Sequence, residues 1–151
     1  MDTFASLLAA LGRAGVDFVV VGGLAVAFVG YARVTDDVDI LVDADPANLR
    51  SMLDVLTGFG EGAAAELSPD DFPMEEGCVR VAETFDLDIF TQMSGLTYAD
   101  LLLQTATQEV EGVPIRHLTA EGLLRLKTDS LRPKDQLDVA ALRAILRGEQ
   151  P

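Results

Sequence analysis

The chain has 151 residues, of which 49% are hydrophobic, and it carries a formal charge of −14 at pH 7. This length predicts one domain with a single core. The excess of acidic residues repels polyanions, which argues against non-specific binding of long duplex nucleic acid. The longest apolar stretch, residues 18–29, is too short to cross a bilayer, and the N-terminus lacks the basic start of a secretory signal. Cys78 is the only cysteine, so no internal disulfide can form. Together, these features predict a cytoplasmic protein without membrane contact.

Helical and strand patterns alternate in the first part of the chain. Leucines at helical spacing come first, and a β-branched run bounded by glycines follows, which is typical of a buried strand. Gly22-Gly23 lies at the junction between that strand and the next apolar helix. The predicted elements are, in order, a helix at 4–13, a strand at 17–21, a helix at 24–29, a strand at 37–42 and a helix at 47–56.

The second part of the chain begins with a stretch of weak periodicity, residues 61–77, which we predict to be a loop. The elements predicted after it are strands at 78–82 and 85–90, a helix at 96–104, a hairpin pairing 108–110 with 113–115, and helices at 120–128 and 133–147. The predicted fold class is α/β, with a mixed sheet flanked by helices. We expect a single domain over 1–151, with a core at about 1–104 and a C-terminal hairpin and helices at about 105–148.

Two carboxylates, Asp37 and Asp39, project from one face of their predicted strand because side chains alternate with a period of two. Such a pair needs a cation, a shared proton or free access to solvent, and carboxylate oxygens favour magnesium or calcium. Solvated acids on an exposed edge strand are the alternative interpretation. Gly22-Gly23 allows backbone N–H groups to approach a phosphate closely, but a simple tight turn would use the same residues.

The spacing of these motifs resembles the signature of the polymerase-beta-like nucleotidyltransferases. Gly22-Gly23 is followed, after thirteen residues, by Asp37-Val38-Asp39, and Arg33 and Thr35 precede the acids. The Arg-x-Thr-x-Asp-x-Asp form is similar to the toxin and abortive-infection branch of that superfamily. The resemblance implies that three strands, near 17–21, 37–42 and 85–90, bring the glycine turn and the acids together at one edge of the sheet.

The resemblance also implies a third carboxylate on a later strand. Asp88 is the residue that matches it, within Asp88-Ile89-Phe90-Thr91. Asp86 projects from the same face if the strand is regular, so strand geometry alone leaves both residues open.

A basic segment near the C-terminus extends the resemblance over almost the whole chain. Lys127 and the segment Arg132-Pro133-Lys134-Asp135-x-x-Asp138 are similar to a Lys and an Arg-x-Lys-Asp-x-x-Asp motif of the same branch. Lys127 and Lys134 would bring positive charge to a triphosphate, and the two aspartates would orient these lysines or cap the last helix. A surface ion-pair cluster is the alternative.

The function implied by the resemblance is transfer of a nucleoside monophosphate from a nucleoside triphosphate to an RNA or protein acceptor. Two Mg²⁺ ions would be held by Asp37, Asp39 and Asp88. The implied role is that of a toxin–antitoxin or phage-defence component, with a cognate antitoxin as partner. A non-catalytic binding or regulatory protein of the same fold is the main alternative; a glycosyltransferase fits the length and the glycine placement poorly. The residues expected to bind the nucleotide are Gly22, Gly23, Arg33, Thr35, Lys127 and Lys134.

Overall fold

Six strands form one mixed sheet in a computed structural model that describes residues 3–31, 36–127 and 132–150. The strands are β1 Phe18–Val21, β2 Asp37–Val42, β3 Cys78–Ala82, β4 Asp86–Phe90, β5 Thr105–Val110 and β6 Val113–Leu118. Their order across the sheet is β3-β4-β2-β1-β6-β5. β1 runs parallel to β6 and β2 runs parallel to β4, while the other neighbouring pairs are antiparallel.

Several helices of the described residues begin at recognisable capping residues. Thr3 accepts a hydrogen bond from the Ser6 amide at the start of the first helix, and Asp45 accepts bonds from two amides at the start of the third. None of these helices is long and apolar enough to cross a bilayer. The α-helices are α1 Phe4–Arg13, α2 Gly22–Phe28, α3 Pro46–Thr57, α4 Tyr98–Leu101, α5 Ala120–Lys127 and α6 Pro133–Leu146.

The sheet is buried at its centre. All four residues of β1 are buried, as expected for a β-branched strand with a neighbour on each side. Phe85, directly before β4, packs against Phe4 of α1 and Phe59 after α3. Because side chains alternate along a strand, Asp86 and Asp88 point to the opposite face, where Asp39, the partner of Asp88, lies against Gly22 of α2.

The structure confirms the predicted α/β class with a mixed sheet flanked by helices. β4, β2 and β1 are adjacent strands in the middle of the sheet, and β3 and β5 are its outermost strands. This placement argues against the interpretation of an edge strand for Asp37 and Asp39. The glycine pair lies at the junction of β1 and α2, as predicted, but α2 begins at Gly22 rather than at residue 24.

The predicted helix at 96–104 is wrong in extent. Thr97 caps α4, which has only four residues, and a single 3-10 turn over Leu102–Gln104 follows it. The chain must then extend because β5 begins at Thr105, where that residue pairs with Leu118. The hairpin strands are accordingly longer than predicted. Residues 61–77 contain a short 3-10 helix at Pro69–Asp71, and the predicted end of the fifth helix at residue 128 lies outside the described residues.

Candidate functional site

Three adjacent strands place the predicted acids on one face of the sheet. In the parallel pair β2–β4, Asp37 lies opposite Asp86 and Asp39 lies opposite Asp88. In the antiparallel pair β1–β2, Asp39 lies opposite Val21, the last residue before the glycine pair. Strand pairing therefore brings four carboxylates and the end of β1 together, although they are far apart in the sequence.

A guanidinium lies among these acids. The Arg80 Nε is 2.7 Å from Oδ1 of Asp88, and its Nη2 is 2.9 Å from Oδ2 of the same residue. The same side chain is 3.4 Å from an oxygen of Asp86 and 3.8 Å from an oxygen of Asp37. The pKa of Arg80 is raised, first by the hydrogen bonds and then by the charge of Asp88. Arg80 thus neutralises part of the acidic cluster.

Asp39 is the carboxyl most strongly perturbed by this environment. Its pKa is raised from 3.8 to about 6, mainly by burial and then by the negative charges of Asp88 and Asp37. A hydrogen bond with the Asp88 side chain raises the pKa further, whereas the positive charge of Lys127 lowers it. Asp39 and Asp88 are consequently close enough to share a proton, and the charge of the ionised pair is not fully compensated.

Gly22 is required by the position of the Asp39 carboxyl. Its φ of +67° is strained for residues with a side chain. A Cβ added at Gly22 would lie 2.1 Å from Oδ2 of Asp39, far inside van der Waals contact. The first glycine of the pair therefore makes room for the acid, and Gly23, in the same first turn of α2, is buried.

A second ionic cluster borders the acids at the junction of α5 and α6. The Lys127 Nζ is 3.0 Å from Asp135 Oδ1 and 3.2 Å from Asp138 Oδ2. The side chains of these aspartates are only 5% and 1% exposed, and that of Lys127 is 12% exposed. Arg132 also pairs with Asp135, at 2.8 Å. The side chain of Arg132 is 75% exposed, but that of Lys127 is largely buried and those of the two aspartates are buried, so the interpretation of a surface ion-pair cluster does not describe these three residues.

The remaining predicted nucleotide contacts are placed differently. Lys134 is exposed on α6 and has no ion pair within residues 3–31, 36–127 and 132–150. Arg33 and Thr35 lie outside the described residues. An open pocket of about 290 Å³ beside the second ionic cluster is lined by Phe90, Leu126, Arg132 and Asp135, among others.

Arg80 is the residue of the site that the sequence analysis missed. The signal was present, because two predicted strands separated by only two residues indicate a hairpin. In that hairpin, β3 and β4 pair Ala82 with Asp86 and hence Arg80 with Asp88. Pairing the two strands in register would have identified the cation opposite the third acid.

The oxygen donors of this cluster fit a hard divalent cation. Asp37, Asp39 and Asp88 supply only carboxylate oxygens, and the pKa of Asp39 is raised first by burial and then by the negative charges of Asp88 and Asp37. In the described part of the chain, however, no group of three or more His, Cys, Asp or Glu side chains is already arranged to hold a metal ion. Arg80 donates hydrogen bonds to both oxygens of Asp88.

Two solved structures share the fold at low sequence identity. The chain is similar to an antigenic nucleotidyltransferase-like protein from Paracoccidioides brasiliensis, with 18% identity, a TM-score of 0.56, and coverage of 95% of this chain and 73% of that chain. It is also similar to a proposed nucleotidyltransferase from Thermotoga maritima, with 16% identity, a TM-score of 0.58, and coverage of 97% and 91%. At such identities, the likeness establishes the fold alone.

Sequence comparison gives a more specific result. No curated protein is significantly similar to the chain. The model of the family described as "Nucleotidyl transferase of unknown function (DUF2204)" matches residues 1–149, which is nearly the whole chain and includes the acids, the glycine pair and the basic segment. The chain therefore belongs to this nucleotidyl transferase family of unknown function.

Proposed function

We propose that the chain is a metal-dependent nucleotidyltransferase that moves a nucleoside monophosphate from a nucleoside triphosphate to an RNA or protein acceptor. The observation that carries this proposal is the clustering of Asp37, Asp39 and Asp88 on adjacent strands. This clustering contributes to the raised pKa of Asp39, after burial. Folding alone does not require such a cluster, and perturbed carboxyls of this kind concentrate at functional sites. Membership of a nucleotidyl transferase family supports the same reaction class.

The residues of the cluster have separate roles in the proposed reaction. Asp37 and Asp39 would hold both Mg²⁺ ions, and Asp88 would complete the site. When bound, the ions neutralise charge on the phosphates and favour ionisation of the acceptor hydroxyl. The hydroxyl oxygen attacks the α-phosphorus, the bond from this phosphorus to the bridging oxygen breaks, and pyrophosphate leaves with the electron pair. Asp88 takes up the hydroxyl proton.

The surrounding residues would bind and orient the nucleotide. Lys127 contributes positive charge next to the acids, in a position fixed by two buried aspartates. Gly22 leaves the Asp39 carboxyl accessible because it has no Cβ. We retain Gly23, Arg33, Thr35 and Lys134 as proposed contacts of the triphosphate.

For the biological role, we propose a cytoplasmic toxin–antitoxin or phage-defence component with a cognate antitoxin. The support is the likeness of the Arg-x-Thr-x-Asp-x-Asp motif to the toxin-type branch. The charge of −14 disfavours a long duplex as acceptor and favours a protein or a locally bound RNA. Expression of the wild-type chain in bacteria without the antitoxin should arrest growth, whereas Asp39→Asn should not. Growth arrest by both proteins would contradict a catalytic toxin.

The direct test of the reaction is incubation of the protein with Mg²⁺ and each α-labelled nucleoside triphosphate, with total RNA and total protein as acceptors. We expect label on one acceptor class and release of pyrophosphate. Asp39→Asn should abolish the label, while Asp36→Asn, which removes an exposed acid just before β2, should retain it. Labelling that survives Asp39→Asn would place the chemistry elsewhere.

A non-catalytic binding protein is the second candidate, and one observation favours it. Arg80 already compensates part of the acidic charge, and the described residues hold no preformed metal-binding group. Calorimetric titration of a nucleoside triphosphate distinguishes the candidates. The enzyme should bind the triphosphate with Mg²⁺ and lose that binding in chelator, because its acids repel the polyanion. Equal binding in both buffers, or none in either, would favour the non-catalytic protein.

A further inference from the structure

Arg80 is held in the acidic cluster by strand pairing rather than by burial. It lies directly opposite Asp88 in the β3–β4 ladder, so the backbone fixes where its side chain begins. The guanidinium end remains accessible, since the Arg80 side chain is 53% exposed while that of Asp88 is 8% exposed. The side chain can therefore leave the acids without any change in the sheet.

A divalent cation at the same acids would have to compete with this guanidinium. Both oxygens of Asp88 accept hydrogen bonds from Arg80, at 2.7 and 2.9 Å. Its Nη2, which binds Asp88, is also the nitrogen nearest to Asp37. Carboxylate oxygens have further lone pairs, but a metal ion placed between Asp37 and Asp88 would lie against a like charge. At such short distances that repulsion is substantial.

We propose that Arg80 is a resident counter-cation that a divalent metal ion displaces from Asp88 and Asp37. The inference rests on the proposed metal-dependent function. Without metal, Arg80 offsets the mutual repulsion of the acids. With metal, its guanidinium is released but stays tethered beside the site by β3, where it can pair with phosphate oxygens. Arg80 is thus a positioning residue that couples metal binding to triphosphate binding.

This coupling has a specific thermodynamic consequence. Metal alone should bind weakly to the wild-type protein, because it must break the contacts of Arg80. Metal together with a triphosphate should bind much more tightly, because the released guanidinium gains a new anionic partner. Removal of Arg80 should therefore strengthen binding of metal alone and reduce the enhancement by triphosphate, since coupling between two ligands is reciprocal.

The test is titration of Mn²⁺, followed by electron paramagnetic resonance of the free ion, with and without a non-hydrolysable triphosphate. Four proteins are compared: wild type, Arg80→Gln, Arg80→Lys and Arg132→Gln. We expect Arg80→Gln to bind Mn²⁺ alone about tenfold more tightly than wild type, with a smaller enhancement by triphosphate. Arg80→Lys should also bind more tightly, because lysine keeps the charge but cannot hold both oxygens of Asp88.

Arg132→Gln controls for the loss of one positive charge in the same neighbourhood. Arg132 forms its ion pair with Asp135 of α6, outside the acidic strands, so we expect a change of less than about twofold in Mn²⁺ affinity. Circular dichroism in chelator establishes that each variant is folded, and Arg80→Lys provides the test if Arg80→Gln does not fold.

The possible failures are distinguishable. Weaker or unchanged Mn²⁺ binding in both Arg80 variants would overturn the displacement while leaving a metal-dependent enzyme intact. An equal gain in Arg80→Gln and Arg132→Gln, with none in Arg80→Lys, would show a general effect of charge and would overturn it as well. Absence of Mn²⁺ binding in all four proteins, with triphosphate present, would overturn both the inference and the proposed metal-dependent function.

Discussion

Replacing Asp39 by Asn should stabilise the metal-free protein while abolishing nucleotidyl transfer. Asp39 is ionised at pH 7, yet its pKa of about 6 shows that the folded protein disfavours the charged form. Burial is the largest cause, and the charges of Asp88 and Asp37 follow. Asparagine has nearly the same shape and removes the charge. Asp39→Asn should therefore increase the free energy of unfolding of the metal-free protein while it removes the transfer activity.

The magnitude follows from the linkage between the pKa and stability. A rise from 3.8 to about 6 corresponds to a cost of at most about 3 kcal/mol when the carboxyl is ionised. The partial exposure of Asp39 reduces this to about 1–2 kcal/mol. Because the folded state binds the proton more strongly than the unfolded state, the cost develops as the pH rises from about 4 to 6 and is complete above that window. A gain of this size raises the Tm by roughly 3–6 °C in a domain of this length.

The measurement is urea denaturation in chelator at pH 7.5 and at pH 5, for wild type, Asp39→Asn and Asp36→Asn. The gain of Asp39→Asn at pH 5 should be about half of its gain at pH 7.5, because part of the wild-type population is then protonated. Asp36→Asn, an exposed control with the same change in charge, should stay within about 0.5 kcal/mol of wild type. Equal gains for the two variants, or a gain independent of pH, would refute the reasoning.

Two further predictions concern the residues around the acids. Gly22→Ala should lower the stability more than Gly15→Ala does. Both glycines have positive φ, but only a Cβ at residue 22 would lie against Asp39. Equal losses of Tm for the two variants in thermal denaturation would contradict this close approach. Lys127→Met should cost about 2–4 kcal/mol, because it leaves buried carboxylates without their lysine. Lys134→Met should leave stability unchanged and only weaken triphosphate binding, and similar urea midpoints for the two lysine variants would refute this distinction.

Local patterns were sufficient for most of the fold. β-branched runs, alternation and capping residues located β1, β2 and β4 to within about one residue, because these signals depend on neighbours in the chain. The prediction failed at 96–104, where the predicted long helix is a four-residue helix followed by a single 3-10 turn, and β5 begins directly afterwards at Thr105. There the pairing of β5 with β6 overrides the local preference.

The sequence by itself determined the acidic pair, since alternation requires Asp37 and Asp39 to share a face, and it determined the resemblance that pointed to Asp88. Only the tertiary structure decided how these residues meet. Pairing of β2 with β4 sets Asp39 opposite Asp88, β3 brings a guanidinium to the same acids, and the packing of α5 and α6 buries Lys127 while Lys134 stays exposed. These outcomes depend on contacts between residues distant in the chain, and the free energy of such contacts is not encoded in any local pattern.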